Sequence, residues 1–168
     1  MDQLLAIFQA ELKGQCKQAE VVGEQLNAAL KAGNHVDIWI AVQSILLTAG
    51  NTAKLLWGSG NGKAAEATEA DRKPLRTLVG VADESPLKAR NVRNSFEHFD
   101  ERIIAWHEAS ETQFYASRQI GQAEDWPAGA LLGNYDPATG IVTFLDNSVS
   151  IRDLMVELHR ILEKLNAQ

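Results

Sequence analysis

One cysteine among 168 residues leaves no partner for a disulfide within the chain. Cys16 alone cannot anchor a cysteine-based metal cluster, and so little cysteine fits a reducing, cytoplasmic compartment. Its place near the apolar register of the first helix reads as small core filler. No apolar run approaches the roughly 20 residues that cross a bilayer. Met1-Asp2-Gln3 also lacks the basic start of a signal peptide, so no membrane partner is expected. An excess of positive charge is missing too, since 16 Lys and Arg face 22 Asp and Glu for a net charge of −6. Broad electrostatic binding to nucleic acid needs clustered cations, so DNA is not an expected partner; a local basic cleft stays compatible with this balance. Three histidines, His35, His107 and His159, stand singly at helix ends or on the last helix, without metal-ligand spacing to one another. Neither a metal nor a cofactor is expected.

What is present is helical periodicity. Leu5, Phe8, Leu12, Ala19, Val22, Leu26 and Ala29 trace one apolar face of a helix over Asp2 to Ala32, stopped by Gly33-Asn34. Gly14 and Gly23 weaken this helix and mark possible close approaches to a neighbour. Trp39, Val42, Leu46, Ala49, Ala53 and Leu56 give a second seam over His35 to Trp57, and the short connection predicts an antiparallel hairpin. Gly58-Ser59-Gly60-Asn61-Gly62-Lys63 is not a phosphate loop. Its spacing is wrong, Ala64 stands where Ser or Thr is needed, and a helix precedes it. Residues 58–70 therefore read as a flexible loop, followed by a short helix capped by Asp71 and running to Val81. The pattern predicts a helical continuation from Ala109 to Gln122 through Phe114, Tyr115 and Ile120. Then alternation over Ala130–Tyr135 and Ile141–Leu145, around the turn residues 136–140, predicts a β-hairpin insertion spanning 130–146. Such a ribbon must pack on the helices or on a neighbour. Ser150, with Asp153 three residues on, starts a final helix whose seam is Ile151, Leu154, Leu158, Ile161 and Leu165. The expected architecture is mainly α: a single domain over 1–168, an antiparallel bundle of four main helices with a short helix and the hairpin before the last helix.

The remaining main helix carries the polar residues of interest. Ser85 and Pro86 suit its first positions, and Ala89, Val92, Phe96, Phe99, Ile103 and Trp106 recur at three and four. Nearly opposite that seam lie Asn94 and His98, joined by Arg90 and Arg102. Overlapping this stripe, Arg93-Asn94-Ser95-Phe96-Glu97-His98 is an arginine, a polar residue, three more residues and a histidine. It resembles the Arg-x4–6-His motif of the HEPN superfamily, small helical bundles in which a polar residue commonly follows the arginine. The likeness covers the motif and the general layout, a long helix pair followed by a motif-bearing helix.

The resemblance implies metal-independent endoribonuclease chemistry of the toxin–antitoxin or phage-defence type. His98, with an ordinary pKa near neutrality, would move a proton at the ribose 2′-oxygen or the leaving 5′-oxygen. Arg93 would hold the phosphate with its planar fork, and Asn94 would orient His98 or donate to a phosphate oxygen. On a regular helix five residues turn by about 500°, so Arg93 and His98 diverge by about 140°. Family members are typically dimers whose motifs meet across a two-fold axis, which closes such a site. Expected partners are therefore a second copy of the chain, RNA or a nucleotide, and an antitoxin. A second reading is open as well. Between Ser85 and Ala109 four cations are balanced by Glu97, Asp100, Glu101 and Glu108, and Arg93 can pair with Glu97. That balance suits a non-catalytic HEPN-like dimer serving as a binding or scaffold protein.

Overall fold

A computed structural model describes residues 3–58, 63–88, 99–109, 115–127, 129–145 and 147–167. Helix α1 spans Gln3–Ala32 and α2 spans His35–Trp57. Two residues suffice to reverse the chain between them. Gly33 takes the left-handed conformation at φ 65°, and the Asn34 and Gly33 amides donate back to Ala29 and Leu30 carbonyls, closing α1 as a Schellman motif. The Asn34 carboxamide oxygen then accepts from the Val36 and Asp37 amides and caps α2. Leu12, Cys16, Ala19, Val22, Leu26 and Ala29 face Trp39, Val42, Leu46, Ala49, Ala53 and Leu56 in one core, so the two seams read from the sequence meet as expected. Burial pushes the Cys16 thiol up to about 12, with Glu20 adding to it, as fits an inert core sulfur.

Helix α3 spans Lys63–Val79, which corrects the flexible loop expected over 58–70: from Lys63 onward that stretch is helical, and residues 59–62 lie outside the described residues. Its attachment is partly polar. Arg72 and Arg76 donate to the Lys54 and Leu56 carbonyls, at 3.4 and 2.6 Å, in the last turn of α2, where the carbonyl end of the helix favours a cation. Arg76 also pairs with Glu69, and the Arg72 guanidinium lies 5.6 Å from the centre of the Phe8 ring. Leu75 and Val79 supply the buried apolar part. After a 3-10 turn at Pro86–Lys88, α4 spans Phe99–Ala109.

The segment expected to continue helically to Gln122 is extended where it is described. Ala116 bridges Leu131, and β1, Gln119–Ile120, pairs in parallel with β2, Gly133–Asp136. Parallel pairing satisfies the backbone of residues whose helical pattern was too sparse to bury a face. The expected hairpin is present as β2 and β3, Ile141–Phe144, in antiparallel register Gly133 to Phe144 and Asp136 to Ile141. It belongs to a larger unit: β4, Asn147–Ser150, pairs with β3, giving a four-stranded mixed sheet in the order β1-β2-β3-β4. The Asp136 carboxylate accepts from the Ala138 amide and the Thr139 hydroxyl, and Gly140 takes φ 74° to complete the turn. Tyr135 and Val142 carry the sheet into the helical core.

The last helix, α5, spans Ile151–Asn166, with the Ser150 hydroxyl accepting from the Asp153 amide at 3.1 Å. Its buried residues are those of the expected seam, with Leu162 added. A Cβ on Gly23 would come within 2.7 Å of the Met155 methyl, so this glycine does mark a close approach, between α1 and α5. Gly14 does not, as nothing lies within 4 Å of its would-be Cβ. Gly14→Ala should therefore stabilise the fold by about 0.5–1 kcal/mol through helix propensity and a less free unfolded chain. Urea denaturation followed by circular dichroism checks it, and an unchanged or lower midpoint would contradict it.

Candidate functional site

Arg93, Asn94 and His98, the residues carrying the motif, lie outside the described residues. So does Arg90 of the same stripe, while Arg102 is exposed on α4. What the fold displays is how the chain is held on either side of the motif.

Upstream, the anchor is a charged clamp on α5. Arg160 donates from Nε and Nη2 to the two carboxylate oxygens of Glu157, at 2.8 and 2.9 Å, and from Nη1 to the Val79 carbonyl at 3.0 Å. The Ser85 hydroxyl donates to Glu157 Oε1 at 3.1 Å, and Leu87 is buried just beyond it. The end of α3, the 3-10 turn and α5 are thus joined where the chain runs toward the motif. Arg160 and, less strongly, Ser85 hold the Glu157 carboxyl below the usual carboxylate range against the opposing effect of burial.

A carboxyl depressed on folding contributes stability that is fully present above its unfolded pKa, about 4.3 for Glu. That contribution is lost as pH falls through the lower folded value. Glu157→Gln should cost about 1 kcal/mol at neutral pH, allowing for solvent screening of a partly exposed pair. It should also flatten the acid limb of stability below about pH 4.5. Thermal melts across pH 3–7 test this; parallel pH profiles for variant and wild type would contradict it.

Downstream, α4 is fixed through Trp106. Its indole donates to the Gly129 carbonyl at 2.9 Å, and its ring meets Tyr115 nearly edge-on with centroids 5.5 Å apart. Ile103 and Trp106 are half-buried and Ile104 is exposed, so the described part of the seam faces inward as its spacing requires.

Between α2, α4 and the sheet lies a cavity of about 530 Å³, bordered by Trp39, Gln43, Ile103, Tyr115, Ser117, Arg118, Leu132, Gly133 and Phe144. Trp39, Leu132 and Phe144 are buried and form its floor, while Tyr115 and Arg118 are exposed at its mouth. Gly133 faces Phe144 in the β2–β3 register, and a Cβ there would come within 3.1 Å of the Phe144 ring. Arg118 takes φ 55°, in the left-handed region that a residue with a long side chain seldom occupies. Among the described residues no carboxylate pairs with it.

Sequence reasoning did not find this cavity. Its residues come from five separate stretches, and Tyr115 fell in a segment read as helical. The only local signal was a cluster of Tyr115, Ser117 and Arg118, which composition does not distinguish from a loop. His35, His107 and His159 are exposed; His159 Nδ1 lies 2.9 Å from Glu20 Oε1, linking α5 to α1. Among the described residues no group of three or more His, Cys, Asp and Glu is placed to hold a metal. None of the described helices is long and apolar enough to cross a membrane. The chain matches no protein-family model, no curated protein and no solved structure.

Proposed function

We propose that this chain is a HEPN-like endoribonuclease that cleaves RNA without a metal, in a toxin–antitoxin or phage-defence setting. His98 serves as the proton-transfer group, Arg93 as the phosphate-binding and charge-stabilising group, and Asn94 as the residue that orients His98. The observation that carries this reading is the anchoring of the chain on both sides of the motif. The Glu157–Arg160–Ser85 clamp precedes it, and α4, locked through Trp106, follows it. Catalytic side chains need support of this kind, because small misplacements cost large factors in rate.

On the regular helix that the sequence predicts, Arg93 and His98 would diverge, so the active form in this reading is a two-fold dimer. Val36, Ile40 and Leu47 on α2, with Ile104 on α4, are each more than half exposed and provide apolar surface for it. The test uses single-stranded RNA and purified protein in EDTA, at a concentration where light scattering gives twice the 18.4 kDa chain mass. Cleavage is expected. Intact RNA in the presence of dimer would favour the second reading, a non-catalytic dimeric scaffold. Asp100, Glu101 and Glu108, all exposed on α4, are the observation on that side, since they repel a polyanion.

A further inference from the structure

We propose that the cavity between α2, α4 and the sheet binds a nucleoside monophosphate, with the base on the Leu132–Phe144 floor and the phosphate at Arg118. The inference is independent of whether Arg93 and His98 cleave RNA. It rests on the volume of the cavity and on the residues of its wall. The volume, about 530 Å³, falls within the range of small-molecule sites. The aromatic rings come from separate elements, Trp39 from α2, Phe144 from β3 and Tyr115 from the strand-like approach to β1, and converge on one space. A planar heteroaromatic ring suits such a wall, because every base offers a π-face for stacking.

Among the described residues the cavity also carries polar side chains. Gln43, one helical turn from Trp39, offers both a donor and an acceptor, and Ser117 adds a hydroxyl. Those groups match the edge of a base and do not suit a hydrocarbon ligand. Among the described residues no carboxylate borders the space, which favours an anion over a divalent cation. Among the described residues the one cation at the cavity is Arg118, and its guanidinium presents a fork that fits a phosphate. One cation suits one phosphate better than a di- or triphosphate. The left-handed backbone at Arg118 is a further sign, because strain at residues other than glycine is concentrated at ligand sites. Gly133 belongs to the same design: a side chain there would press on the Phe144 ring that forms the floor.

Isothermal titration of the full chain with AMP, GMP, CMP and UMP tests the proposal. The corresponding nucleosides, inorganic phosphate and benzoate serve as comparisons. At least one monophosphate should bind with a micromolar Kd, and its nucleoside at least about tenfold more weakly, the loss of one charge-assisted contact. Arg118→Asn removes the guanidinium while Asn tolerates the left-handed backbone, so it should reduce monophosphate affinity to that of the nucleoside. Tyr115→Ala should weaken both ligands. Both side chains are exposed, and unchanged circular dichroism should confirm that each variant folds. If a variant fails to fold, the wild-type comparison of monophosphate with nucleoside still decides. Absence of monophosphate binding below 1 mM, equal affinity for nucleoside and monophosphate, tighter binding of benzoate, or full affinity in folded Arg118→Asn would each overturn the assignment. None of these readouts measures RNA cleavage, so failure here and failure of the ribonuclease reading are distinguishable.

Discussion

His98→Ala should lower RNA cleavage in EDTA by about 10²–10⁴-fold, the range for loss of a positioned acid–base group. Its helical content and melting temperature should stay close to wild type, because the spacing of the apolar residues in the sequence predicts His98 on the side of a helix away from the core. Arg93→Ala should cost about 10²–10³-fold through loss of charge stabilisation, and Asn94→Ala less, since orientation is only part of what His98 needs. The variants act as one unit, so the double variant His98→Ala/Arg93→Ala should fall little below His98→Ala alone. A gel assay with a fluorescent single-stranded RNA measures all four. Unfolding of His98→Ala would mean that the helical phase is wrong and that His98 is a core residue.

Ile161→Ala should destabilise the fold by about 2–5 kcal/mol, a large share of the roughly 5–15 kcal/mol expected for a domain of this size. Ile161 is fully buried on α5, in the common core of α1, α2, α3 and the sheet. Removing three carbons there loses transfer free energy and leaves a cavity that rigid neighbours cannot fill. The effect should appear as a lower urea midpoint with little change in slope. The contrast with Val156→Ala, whose side chain is 64% exposed on the same helix, isolates burial as the cause. Equal losses for both would contradict the described packing.

Much of this core was legible in the chain. The seams of α1, α2 and α5 repeat at three and four with few interruptions, and each buried face follows from that period alone. Caps were legible for the same reason, since Gly33-Asn34 and Ser150 have local chemistry that needs no distant partner. The N-terminal part of α3 was not. Its weak apolar pattern hides a helix held by arginines against the end of α2, twenty residues upstream at Arg76 and Leu56. Pro74 adds to the difficulty, because it suits the first turn of a helix starting near Asp71 yet sits inside the observed one.

The sheet was half legible. Asp136 to Gly140 announces a turn, so β2 and β3 were found. β1 pairs in parallel across a gap of twelve residues, and β4 is only Asn-Ser-Val-Ser; neither carries a periodic signal. The candidate site divides likewise. Arg93, Asn94 and His98 are adjacent in sequence and visible as a motif, whereas the cavity with Arg118 exists only once α2, α4, β2 and β3 are brought together.

The chemical ends of the RNA fragments released by the wild-type dimer in EDTA test the metal-independent cleavage most directly. Attack by the ribose 2′-oxygen, assisted by His98 and Arg93, leaves a 2′,3′-cyclic phosphate on one fragment and a free 5′-hydroxyl on the other. Mass spectrometry should find those ends, and should find none in a digest by His98→Ala. Fragments ending in 3′-hydroxyl and 5′-phosphate, the same ends at undiminished yield from His98→Ala, or no fragments at all, would contradict it.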